Sequence, residues 1–168
     1  MNAIVYTSET GHTAAYAKLL AEKTGLPALS LAAAKKTLPA GSEVFYLGWL
    51  MAGSLKGYKD AAKRFSIRGV AAVGMTAAPN GALWNQAREN GGAVDGARVF
   101  YLQGGYEGKK LTGIYRLMMR PVEKASIKGL TEKSDRSPEE EDTLALFQTG
   151  GSRVRAENLT EILRWLAP

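Results

Sequence analysis

The chain has no cysteine and only one histidine, His12, among its 168 residues. Without thiols there is no disulfide, no cysteine nucleophile, no iron–sulfur cluster and no zinc site built on thiolates. One imidazole is too few for a histidine-rich metal centre, and a Ser-His-Asp triad would have to rest on His12 alone. Long apolar runs are missing as well, so no transmembrane helix is expected. The opening Met-Asn-Ala-Ile-Val lacks a basic n-region, which leaves no signal peptide in view and a cytoplasmic location as the expectation. No internal repeat, low-complexity tract or linker divides the chain, so residues 1–168 read as a single domain.

What is present is an ordinary globular balance, 45% apolar and 23% charged, which excludes collagen-like and disordered classes. A chain of this length buries a core without staples. The net charge is +6, and most of it lies early: residues 1–84 carry nine Lys/Arg against four Asp/Glu. That favours acidic partners, an anionic membrane surface or nucleic acid, although a solvated face explains it equally well. No recognition motif accompanies the charge, so nucleic acid is not expected.

Short apolar runs alternate with helical patterns. Ala3-Ile4-Val5-Tyr6 reads as a buried strand. Helix Thr13–Lys23 follows, stopped by Gly25-Leu26-Pro27, and then a second strand over about Ala28–Leu31. Glu43–Gly48 reads as strand three, Tyr58–Phe65 as a short helix, Gly69–Met75 as strand four, Ala82–Asn90 as a helix carrying Trp84, and Arg98–Leu102 as strand five. Strands separated by helices pair in parallel, and continuous apolar strands fit a sheet covered on both faces. The expected architecture is α/β, a three-layer α/β/α sandwich on five parallel strands. Beyond strand five, Leu111 to about Lys128 is helical and interrupted or kinked near Pro121. Ser137-Pro138-Glu139-Glu140 lays out an N-cap, a first-turn proline and a capping box for a helix ending at Gln148. The neighbouring acids Glu141 and Asp142 extend favourable charge at that helix start rather than a metal site. The last helix, Glu157–Leu166, sets Leu159, Ile162, Leu163 and Leu166 on one face.

The segment joining strand one to helix one, Tyr6-Thr7-Ser8-Glu9-Thr10-Gly11-His12-Thr13, offers three hydroxyls around a glycine. A helix N-terminus leaves N–H groups without partners, and its dipole favours an anion. Hydroxyls from Ser8, Thr10 and Thr13 would complete a phosphate site without Lys or Arg. The competing reading is that Ser8 or Thr10 simply caps the helix. Other phosphate motifs fail: Gly104-Gly105-Tyr106-Glu107-Gly108-Lys109-Lys110 has the wrong spacing for a P-loop, and no G-x-G-x-x-G follows strand one.

The motif Ile4-Val5-Tyr6-x-Ser8-x-Thr10-Gly11-x-Thr13 resembles the FMN phosphate loop of flavodoxins. The resemblance implies a flavodoxin-like sheet of order 2-1-3-4-5, with FMN at the carboxyl ends of the strands. It implies that Ser8, Thr10 and Thr13 donate hydroxyls to the phosphate and that the amides of Glu9, Thr10, Gly11, His12 and Thr13 add N–H bonds, with the His12 ring exposed. Two further loops would hold the flavin ring, Trp49-Leu50-Met51-Ala52-Gly53 and Thr76-Ala77-Ala78-Pro79-Asn80, with Gly104 and Tyr106 beyond strand five. The chain departs from the family pattern in two respects. The positions where the family places stacking aromatics fall near Ala52 and Asn80, leaving Trp49 or Tyr106 as substitutes. Lys56, Lys59, Lys63 and Arg64 surround the first flavin loop where flavodoxins are acidic, which implies a less negative reduction potential.

Residues 106–150 form an insertion relative to minimal members of that family. Within 106–136, eight Lys/Arg stand against four acids, beside the apolar side chains Leu111, Ile114, Tyr115, Leu117, Met118, Met119 and Val122. Such a helix either packs its stripe on the sheet or meets an anionic membrane or a partner. The stretch from Tyr106 to Met119 is loosely similar to the menaquinone-dependent protoporphyrinogen oxidases. Three functions follow as expectations: an FMN electron carrier acting on a redox partner protein; an FMN oxidoreductase passing electrons from a small substrate, a porphyrinogen by that resemblance, to a quinone; and a flavin-free module on the same fold.

Overall fold

The β-branched and aromatic runs form the strands expected of them, in a computed structural model that describes residues 1–51, 53–77 and 93–167. In chain order the strands are β1 (Ala3–Thr7), β2 (Ala28–Ser30), β3 (Glu43–Met51), β4 (Ser54–Leu55), β5 (Ser66–Gly74), β6 (Ala93–Val94), β7 (Ala97–Gln103), β8 (Gly105–Tyr106) and β9 (Gly151–Ser152). The helices are α1 (His12–Thr24), α2 (Leu31–Thr37), α3 (Tyr58–Ala62), α4 (Gly113–Glu132), α5 (Pro138–Thr149) and α6 (Thr160–Leu166).

The central sheet is mostly parallel. Along it the order is β2-β1-β3-β5-β7-β6, with the first five strands pairing in parallel and β6 antiparallel to β7. β4 folds back antiparallel on β3, giving seven strands where five were expected in the order 2-1-3-4-5. The two additions are two-residue strands held by tight turns, too short to carry an apolar run of their own.

Alternation along the strands divides the core between two faces. Val5, Tyr46 and Val70 point toward Ala34 of α2 and Tyr58 and Ala61 of α3. Ile4, Phe45 and Leu47 point the other way, toward Tyr16 and Leu20 of α1 and Ile162 of α6. Leu159, Ile162, Leu163 and Leu166 all join that second layer, as their spacing implied.

Several boundaries moved. Strand three runs on to Met51, because Leu50 and Met51 pair with Leu55 and Ser54. Leu31 opens α2 rather than closing β2, since the Ser30 hydroxyl accepts from the Ala33 N–H at 3.2 Å as an N-cap. The helix expected to reach Phe65 ends at Ala62. α4 continues through Pro121, which lies on its exposed side, so the expected interruption is absent. The helix expected over Ala82–Asn90 lies outside the described residues. The capping box is in place: the Glu140 N–H donates to Ser137 Oγ, and the Ser137 N–H to Glu140 Oε2 at 2.9 Å.

Tyr46 sits wholly within the sheet, its hydroxyl donating to the Lys56 carbonyl and accepting from the Thr7 hydroxyl, each at 2.7 Å. Burial pushes its pKa up to about 12. A folded-state value raised above the ordinary one near 10 means stability that is full below pH 10 and lost as pH rises toward 12. Urea midpoints measured from pH 9 to 12 should therefore fall steeply above pH 10. Tyr46→Phe should flatten that fall by on the order of 2 kcal/mol.

Candidate functional site

The phosphate-loop segment leaves β1 at its carboxyl end and enters α1. Gly11 is the N-cap residue of α1, at φ 102°, and no side chain caps the helix. The first intrahelical bond runs from the Ala15 N–H to the Gly11 carbonyl at 2.9 Å, so the N–H groups ahead of it need partners from outside the helix. The alternative in which Ser8 or Thr10 caps α1 is therefore set aside. Thr10 Oγ1 lies 3.1 Å from His12 Nδ1 instead. Ser8 Oγ is buried and has no hydrogen-bond partner among the described residues.

Among the described residues, the polar side chains that the core buries are His12, 8% exposed, and Thr13, 2% exposed, both in the first turn of α1. The exposed ring expected for His12 is thus corrected: Gly104 closes over it, and a Cβ there would come within 3.1 Å of His12 Cβ and 2.6 Å of Val73. His12 Nε2 stands 3.9 Å from the Glu107 carboxylate. Burial lowers the His12 pKa, assisted by Lys110 and opposed by the Glu107 charge and by a hydrogen bond with the Gly151 backbone.

A cavity of about 430 Å³ opens beside this loop. It lies at the carboxyl ends of β1, β3, β5 and β7, where the sheet order reverses between β1 and β3. Open α/β sheets bind their ligands at such a place. From the first loop, Glu9, Thr10, His12 and Thr13 line it. Trp49, Leu50, Met51 and Gly53 supply the next wall, from the β3–β4 hairpin rather than from a free loop. Thr76 and Gly104 border it as expected; Ala77 instead faces a separate hollow beside Arg153 and Asp142. Ser8 and Gly11 are in the loop but not on the cavity wall, while Ala52 and Ala78 lie outside the described residues.

Trp49 meets Tyr115 of α4 edge to face, with centroids 5.0 Å apart, and Lys56 Nζ lies 5.9 Å from its ring. Tyr106 also lines the cavity, but its ring is held against Phe147 at 5.1 Å, in a third apolar cluster with Leu111 and Leu146. Its buried hydroxyl has no hydrogen-bond partner among the described residues. Of the four cations expected near the flavin, Lys56 stands beside Trp49, whereas Arg64 is committed to the Lys35 carbonyl of α2 and the Leu38 carbonyl just after it.

Sequence reasoning missed Tyr101, Glu107, Met118, Met119, Val122 and Phe147 as wall residues. Tyr101 fixes the second loop by donating to the Thr76 carbonyl at 2.7 Å, and Gly74 makes room for it, since a Cβ there would lie 2.2 Å from the Tyr101 hydroxyl. Its position near the carboxyl end of a parallel strand was the available signal. For the others none was available, because residues of the insertion reach the cavity only through its folding. That folding is fixed by polar ties: Thr112 donates to Glu9 at 3.3 Å, and Gln103 donates to Asp142 at 2.8 Å, which also binds Arg153.

Among the described residues, no helix is long and apolar enough to cross a membrane. Comparison of the chain with protein-family models, with curated proteins and with solved structures finds no match.

Proposed function

We propose that the protein binds FMN, with the phosphate at Ser8–Thr13, and acts as an electron-transfer protein of flavodoxin-like design. One observation carries the reading: an uncapped helix N-terminus adjoins a buried hydroxyl, Ser8 Oγ, that has no partner among the described residues. Buried polar groups are almost always paired, and an anion held by backbone N–H groups would pair this one. The sheet supports it. We take β2-β1-β3-β5-β7 as the parallel flavodoxin-like order, with β4 and β6 as edge additions.

The flavin, when bound, supplies the redox chemistry. The chain's part is to bind, orient and exclude water. Ser8, Thr10 and Thr13 hold the phosphate; Trp49 and Met51 border one side of the cavity, and Thr76, braced by Tyr101, borders another. The test is the visible spectrum after incubation with FMN and removal of free flavin. A retained yellow band at about one flavin per chain is expected; a colourless protein would leave only the flavin-free module.

A second reading, an FMN oxidoreductase with a small substrate, is favoured by the cavity's roof. Leu111, Met118, Met119, Val122 and Phe147 come from the insertion and add apolar wall over the site. A carrier that presents its flavin edge to a protein has no use for such a cover. Bleaching of the loaded protein by a small reductant, followed by reoxidation with a quinone at steady turnover, would decide for this reading over the carrier.

A further inference from the structure

Helix α4 is amphipathic, and its large apolar face is unpacked. None of its 20 residues is fully buried. Tyr115, Met119 and Ile127 lean on the cluster around Leu111 and Phe147. On the arc beside these, Ile114 is 63% exposed, Leu117 65%, and Met118 and Val122 48% each. With about 3.6 residues per turn, these four share one arc of the helix. Arg116, Arg120, Lys124 and Lys128 recur every fourth residue along the adjoining arc, all exposed. The acids of the helix stand apart from this face: Glu123 is on the packed side, and Glu132 is at the end, 4.0 Å from Lys128.

Large apolar side chains gathered on one exposed face mark an interaction surface. The occupant must be apolar where Ile114, Leu117, Met118 and Val122 enter it, and anionic where the basic row lies. A leaflet containing acidic phospholipids has both properties in that order, acyl chains below and phosphates above. Met118 and Val122 belong to this face and also to the cavity wall, so whatever covers α4 also meets the rim of the cavity.

We propose that α4 docks the protein on an anionic lipid surface, its apolar arc among the acyl chains and its basic row at the headgroups, with the cavity rim turned toward lipid. Flavin is not needed for this docking, so the test stands apart from the reading of the cofactor. The protein should float with vesicles of phosphatidylcholine and phosphatidylglycerol, and not with phosphatidylcholine alone. Each basic residue of the row changed to Gln should weaken partitioning about fivefold. Leu117→Asp should abolish flotation, with Val122→Ser as a second variant should that one fail to fold by circular dichroism. The lack of native cysteine allows a single environment-sensitive dye at Met118→Cys, which should shift to the blue on these vesicles, while one at the exposed Lys23→Cys should not. Absence of flotation, or flotation that survives Leu117→Asp, overturns the proposal. So does a dimer in light scattering that Leu117→Asp dissociates without any vesicle binding, because the face then covers a second copy of the chain.

Discussion

Ser8→Ala is expected to weaken FMN binding at least tenfold while leaving the stability of the flavin-free protein unchanged or slightly raised. The two effects follow from one atom. Ser8 Oγ is buried and unpartnered among the described residues, and a buried hydroxyl with no partner costs free energy that its removal returns. With a phosphate present, the same hydroxyl would donate to a charged acceptor, a bond worth about 1.5–3 kcal/mol. Thr13→Ala should lose a similar amount of affinity, since Thr13 is buried in the first turn and lines the cavity. Thr10→Ala should lose less, because Thr10 Oγ1 already has His12 Nδ1 at 3.1 Å. Riboflavin, which lacks the phosphate, should bind all three variants and the parent alike. Titration of flavin fluorescence gives the affinities, and urea unfolding gives the stabilities. Equal losses for riboflavin and FMN would move the hydroxyls from the phosphate to general packing, and a destabilised flavin-free Ser8→Ala would mean the hydroxyl has a partner within the fold.

Local features were the ones legible in the sequence. β1 could be read from a run of Ile4, Val5 and Tyr6, and the capping box of α5 from Ser137 and Glu140, because each involves residues a few positions apart. The cavity's first wall was legible for the same reason. β6 was missed although its signal was present: Asp95-Gly96, with φ of 50° and 78°, is the turn pair that closes a two-residue hairpin between Val94 and Ala97. The burial of His12 was not legible, since it depends on Gly104 and Glu107 closing over α1 from the far end of the sheet. Nor was the pairing of β8 with β9, which joins Tyr106 to Gly151 across the whole insertion. The apolar side of α4 was visible as a stripe, but only the folded chain distinguishes Met119, packed against the third cluster, from Leu117, left exposed.

Gly57→Ala is expected to lower stability by about 2–5 kcal/mol. Gly57 is the N-cap residue of α3, at φ 79°, where an L side chain is strained before any contact is considered. An added Cβ would also lie 2.2 Å from the Tyr46 hydroxyl and 2.3 Å from Thr7 Oγ1. Those two oxygens bond each other and, through Tyr46, the Lys56 carbonyl, so they cannot withdraw without breaking a buried pair. Thr7 ends β1 immediately before the proposed phosphate loop, and Tyr46 lies beside it on β3. Relief of the clash would therefore displace the strand end that positions Ser8. A urea midpoint should fall well below the parent value, and FMN affinity should fall with it. Tyr46→Phe removes one of the two clashing oxygens, so the double variant Gly57→Ala/Tyr46→Phe should be less unstable than the two single losses added together, by about 1 kcal/mol. Strict additivity would mean that the cost lies in the positive φ alone and that the strand end does not move.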